Sequence, residues 1–140
     1  MSEAAIDQGW ALQKAVHAAI GENDGVKALL GDPPRIYDIA PRRPVFPFAT
    51  YGEWRASAYG GLPGGLEHDI RIRVFSRYEG RRESREIMAA LQDALEGAPL
   101  APEGRALVSM RFVFSDVFLR ADGATWGGVI RFRAVDAPAA

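Results

Sequence analysis

Few residues in this chain have the types and spacing that chemistry needs. His17 falls midway along a helical pattern and His68 on a strand pattern. A metal site needs several ligands at fixed spacing, and neither histidine has a second His or Cys at such a distance. Packing or a surface position suits both better. Glu67 and Asp69 share one face of a strand pattern, where two carboxylates can do acid–base work. Arg71 and Arg73 lie on that same face, so cross-strand ion pairing is the expected use. "GGLPGG" (60–65) is glycine-rich, but it lacks the Lys-Ser/Thr ending of a phosphate loop and does not open a helix. "EGRRESRE" (79–86) sets basic residues at a helix start, where they oppose the dipole. They can touch a phosphate or an acidic partner, or stand as a solvated turn. "APRRP" (40–44) projects two arginines from a proline-stiffened segment that loses little entropy on binding. Partner contact and plain loop stand level there. No catalytic residue, cofactor or metal site is expected.

The elements that position these residues follow from hydrophobic spacing. Residues 3–20 read as an amphipathic helix with Ala5, Ile6, Gly9, Leu12, Val16, Ala19 and Ile20 on one stripe. Ser2 is the expected N-cap and Gly21 the expected stop. "GVKALLGD" (25–32) adds a short turn before Pro33 and Pro34. "RIYD" is a short extended piece, and "FPFATYGEW" (46–54) is the first strong strand. Pro41, Pro44 and Pro47 stand at its doorway, where a ladder has no use for residues without an N–H. Residues 55–65 form a mobile loop or the tip of a long hairpin.

Residues 66–77 alternate, with Leu66, His68, Ile70, Ile72 and Val74 on one face and Glu67, Asp69, Arg71, Arg73 and Arg77 on the other. Residues 80–97 form a second helix striped by Ile87, Met88, Leu91, Ala94 and Leu95. A long strand over 105–120 places Val108, Met110, Phe112 and Phe114 on one face. "ADG" (121–123) turns it back. The strand over 125–135 sets Trp126, Ile130, Phe132 and Ala134 opposite Arg131 and Arg133. Residues 136–140 are expected to fray. The order predicts a single α+β domain over 1–140. Its form is a two-layer sandwich, with a mainly antiparallel sheet of four or five strands and two amphipathic helices packed on one face.

Composition narrows function further. The chain has 140 residues, a net charge of −1 and no cysteine. Nothing in that balance pulls it toward nucleic acid or an anionic membrane, and thiolate chemistry is excluded. Fifteen of its seventeen basic residues are arginine. That suits interface ion pairs, although a GC-rich genome gives the same bias. "MSEAAIDQGW" lacks the basic and apolar regions of a signal peptide, and no apolar run approaches the ~20 residues of a membrane span. Synthesis and assembly in the cytoplasm are the expectation.

Several segments together resemble a known family. "ALQKAVHAAI" is followed by "LLGD", "RIYDIAPRRPVFPFATYGE", "EHDIRIRVFSR", "GRRESREIMAALQDAL" and "WGGVIRFRA". This order and spacing, from about Ala11 to Ala134, resembles the phage tail completion and head–tail joining proteins. Within that family it is most similar to the tail terminators of gene transfer agents and siphophage-like particles. The resemblance implies a structural virion protein and no enzyme. It implies a homo-oligomer, a six-membered ring that caps the tail tube, stops its polymerisation and meets the head-side connector or stopper. It also implies that double-stranded DNA passes through the lumen without specific binding and that no membrane is involved. The place it implies is the head–tail junction of a particle assembled in the bacterial cytoplasm.

The residues expected to contact a neighbouring subunit or ring are Arg42, Arg43, Trp54, Tyr59, Leu62, Arg71, Arg73 and Phe118. The alternatives are another connector or tube component, or a nucleic-acid module using Arg71, Arg73, Arg111, Arg131 and Arg133. Sheet readers of nucleic acid interleave exposed aromatics with basic residues, and here only Phe75 is an obvious candidate.

Overall fold

The computed structural model describes residues 5–139. Its elements run α1 (Gln8–Glu22), α2 (Asp24–Leu30), β1 (Ile36–Tyr37), β2 (Phe48–Tyr59), β3 (Gly65–Ser76), α3 (Arg82–Leu95), β4 (Arg105–Leu119) and β5 (Trp126–Pro138). The sheet order is β1-β2-β3-β5-β4. β1 is parallel to β2, and every other neighbour is antiparallel. The α+β architecture therefore stands, with a five-stranded mixed sheet and three helices.

α1 starts later than its apolar stripe predicts. The Asp7 carboxylate accepts the Trp10 N–H at 2.8 Å and so caps the helix. Ala5 and Ile6 precede it; Ser2, the expected cap, lies outside the described residues. Gly21 does not stop the helix. Asn23 does, and its side chain then accepts the Val26 N–H at 2.9 Å to open α2. At seven residues α2 is too short to hold itself in water. Val26 and Leu30 are buried, and each contributes about 1.5–3 kcal/mol by leaving water. Packing holds this helix.

Leu12, Val16 and Ile20 of α1 meet Ile87, Leu91 and Leu95 of α3 over one sheet face. The sheet supplies Ile70, Ile72, Val74, Ile130, Phe132 and Ala134, all fully buried. The alternation predicted for β3 and β5 is what places them there. Ser76 Oγ donates to Glu83 at 2.7 Å, tying the end of β3 to the first turn of α3.

Three expectations need correction. First, β2 continues through Arg55–Tyr59, so the glycine-rich stretch is a hairpin tip confined to 60–64. Second, β4 does not keep Val108, Met110, Phe112 and Phe114 on one face. Register shifts between Leu107 and Ser109 and between Phe112 and Phe114 break the period. Met110 is buried, while Val108 and Phe114 stand exposed. Third, the chain does not fray at residue 136. β5 pairs through Pro138, and Asp136 is fully buried. Its carboxylate takes His68 Nε2 at 3.0 Å and Arg105 Nη2 at 2.8 Å.

Candidate assembly surface

The sheet face turned away from the helices carries the charges that the alternation predicted. Asp69 takes Arg131 through two bonds of 2.7 and 2.9 Å. Glu53 takes Arg73 at 2.8 and 2.9 Å, and Glu67 lies 3.6 Å from Arg133. Hydrogen bonding from Arg73 lowers the Glu53 carboxyl below its ordinary range. The bond to Asp69 raises Arg131. The carboxylates thus serve as ion-pair partners. Arg55, Arg71 and Arg111 have no carboxylate partner among the described residues.

One end of this face is aromatic. Phe48 stacks on Phe75 at 4.8 Å, and Phe46 meets Phe48 edge-on at 5.1 Å. Arg77 lies over Phe46 at 4.1 Å and Arg120 over Phe75 at 5.2 Å. In the same row, Gly127 makes room for Phe118: a side chain there would meet its ring at 3.0 Å. Phe118 remains 46% exposed.

The helix-side cleft of about 280 Å³ lies between α1 and the β1–β2 edge. Within it, His17 Nδ1 and the Tyr51 hydroxyl are 2.8 Å apart, and Gln13 donates to Asp38 at 2.6 Å. Burial first, then the Asp38 charge, raises the Tyr51 phenol. A phenol held protonated is a hydrogen-bonding group, not a base. No cluster of three or more metal-ligating side chains occurs among the described residues. No helix of the described residues is long and apolar enough to cross a membrane.

The expected contact residues fall on different parts of this frame. Arg42 and Arg43 are exposed in the connection between β1 and β2, beside Ile39 and Val45, which are 86% and 63% exposed. Tyr59 and Leu62 flank or form the hairpin tip. Arg71, Arg73 and Phe118 share the outer sheet face, with Arg73 engaged by Glu53. Trp54 turns the other way and packs against the core beside Tyr51. Val113 and Leu119 of β4 and Ile39 of the connection are exposed apolar residues that spacing alone did not single out. The signal for β4 was present: its last seven residues carry apolar side chains on both faces, more than one buried face can take.

With this geometry in hand, comparison with known proteins is direct. The profile of the family described as tail completion protein gp17 matches residues 14–136. The chain belongs to the tail completion protein gp17 family. A chain of the virion of a native gene transfer agent particle shares the fold at a TM-score of 0.83 and 25% identity. The match covers 94% of this chain and 98% of that one. No curated protein matches the sequence. Membership makes this tail completion protein a structural component of a phage-type tail. Its functional surface is therefore the one it offers to other proteins of the particle.

Proposed function

We propose that this tail completion protein is a tail terminator. Copies of it form a ring, six-membered by the family resemblance, that seats on the tail tube, ends its growth and presents a docking face to the head-side connector. The observation that carries the reading is the near-complete overlap with a chain of a gene transfer agent virion, together with the family match over most of the sequence. A closed ring needs two different patches on each subunit. The β1–β2 connection with Arg42 and Arg43, the hairpin tip with Tyr59 and Leu62, and the outer sheet face with Arg71, Arg73 and Phe118 supply surfaces for neighbours above, below and beside.

The outer face also fits a lumen through which DNA passes. Arg73, Arg131 and Arg133 are tied to carboxylates, which compensates part of the basic charge, while Arg55, Arg71 and Arg111 have no carboxylate partner among the described residues. Tight DNA binding scales with the number of phosphates neutralised, and a partly compensated face neutralises fewer. This weakens the rival nucleic-acid module, which needs Arg73, Arg131 and Arg133 free alongside Arg71 and Arg111. The test is deletion of the gene in a particle-producing host. Tails that are over-long or unattached to heads are expected; particles with tails of normal length and attachment would sink the proposal.

A further inference from the structure

The sheet ends in two edges that are guarded differently. The first half of β4 is covered. Gly97 donates its N–H to the Met110 carbonyl at 3.0 Å, and the Glu96 carboxylate accepts the Phe112 N–H at 2.7 Å. Past the bulge at Val113, no backbone bond from outside the β5 ladder reaches 113–119 among the described residues. That open stretch carries Val113, Phe114, Phe118 and Leu119, each 37–50% exposed. An open apolar edge is a template for another strand, which proteins normally blunt with bulges and charge. The second edge is the outer half of β2. β1 pairs with it only at Ala49 and Thr50, and beyond Tyr51 no segment other than β3 bonds to its backbone among the described residues.

Direction and charge then point to one occupant. β2, β3, β5 and β4 are antiparallel in succession, so β2 and β4 run oppositely. Rotation about a ring axis keeps each strand's axial direction. β4 of one copy therefore meets β2 of the next in the antiparallel sense, which gives the better ladder. On the outer face, β4 offers Asp116 and β2 offers Arg55. Both are exposed, and neither has an ion-pair partner among the described residues. Asp69, directly across from Arg55, is already held by Arg131.

We propose that the ring closes by strand pairing. The open edge at 113–119 of one copy lies antiparallel against 52–58 of a second copy, with Asp116 opposite Arg55. This rests on the terminator-ring reading and assigns its subunit contact. The same register places Phe114 beside Ser57 on the outer face and Val117 beside Trp54 on the helix side. Asp116 is level with Thr50 through Val129 and Arg73. Allowing for the bulge after Tyr51, its pairing with Arg55 shifts the neighbour by about four positions, roughly 13 Å at the strand rise. A stagger of this kind is what a sheet needs in order to close on itself.

The test uses the full chain. Wild type is followed by sedimentation over a wide concentration range, alongside Asp116→Arg, Arg55→Asp and the double reversal. Each single reversal is expected to weaken self-association by at least about tenfold, with the double variant returning to within about threefold of wild type. Circular dichroism checks that each variant is folded. A second arm uses Arg55→Cys with Asp116→Cys. The chain has no cysteine of its own, and the two positions sit on opposite edges of the sheet, so a disulfide reports a junction between copies. Oxidation should give a ladder ending in a closed ring, and each single cysteine at most a dimer. If wild type forms rings but no ladder appears and the reversals are silent, this junction is wrong and the terminator reading stands. If wild type stays monomeric alone and in particles, both fall.

Discussion

Asp136 accepts the Arg105 guanidinium and meets the His68 imidazole, with carboxylate and imidazole both fully buried. Arg105 also donates to the Gly64 carbonyl at 2.9 Å. One carboxylate therefore ties the hairpin tip, the start of β4 and the end of β5 together. Removing one partner of a buried pair strands the others without solvent. Asp136→Ala should cost about 3–5 kcal/mol by urea denaturation; a loss no larger than that of an ordinary surface substitution would show that the network is slack. Asp122 acts in the opposite setting, on the exposed β4–β5 turn. It accepts the Thr125 hydroxyl and the N–H groups of Ala124 and Thr125. These bonds, the hydroxyl first, pull its carboxyl from 3.8 down to about 2. The folded value is the lower one, so the stabilisation is complete above 3.8 and is lost as pH falls through about 2. An NMR titration should find the amide signals of Ala124 and Thr125 moving with a midpoint near 2. A midpoint at the free carboxyl value would mean that the turn does not hold its aspartate.

At the scale of elements, the contact of α3 with β5 depends on an absence of side chain. Gly128 lies under Met88, and a Cβ there would collide with Met88 and approach the Asp116 carbonyl oxygen at 2.9 Å. The methionine can move but the carbonyl belongs to the ladder. Gly128→Val should therefore destabilise by about 1–3 kcal/mol through overpacking. Gly21→Ala in α1 meets nothing within 4 Å and should stabilise by about 0.5–1 kcal/mol. Thermal melts of the two variants should move in opposite directions. The same elements show what patterning can and cannot reveal. β3, β5 and α3 were legible because their periods of 2 and 3.6 run unbroken from core residue to core residue. β4 was not, because two bulges change its phase and no residue type announces a bulge. The start of α1 was misplaced because Asp7 off the stripe competes with Ser2 as a cap, and spacing does not rank them. The reach of β5 was missed because the charge of Asp136 marks a surface residue unless Arg105 and His68, far off in sequence, are known to converge on it. The candidate assembly surface was readable only as residue types: Arg42, Arg43 and Phe118 could be named as candidates, whereas the open edge that frames Phe118 depends on strand order.

For the whole molecule, the prolines at the entrance to β2 belong to the same question of where neighbours attach. β1 and β2 are parallel neighbours, so the chain between Tyr37 and Phe48 must travel back past the sheet rather than turn directly. Pro41, Pro44 and Pro47 lie in this return. A segment without several of its N–H donors does not join the ladder. It stays at the surface with Ile39, Val45 and both arginines turned to solvent. Its fixed φ angles reduce the freedom that binding must remove. It is anchored at its two ends: Gln13 donates to Asp38 at 2.6 Å at the start, and at the other end Arg35 donates to the Pro47 carbonyl at 3.0 Å and Arg77 covers Phe46. Arg42 and Arg43 make no ion pair among the described residues, so reversing their charge leaves the fold intact. Arg42→Glu with Arg43→Glu should keep the melting temperature within about 2 °C of wild type. In a complementation assay it should lower the yield of particles with joined heads and tails by at least about tenfold. Combined with the Asp116→Arg variant, it also separates contacts between rings from contacts within one. The connection variant should still form the isolated oligomer, whereas the edge variant should not. Full complementation by the connection variant would reduce the prolines to a stiff entrance to β2.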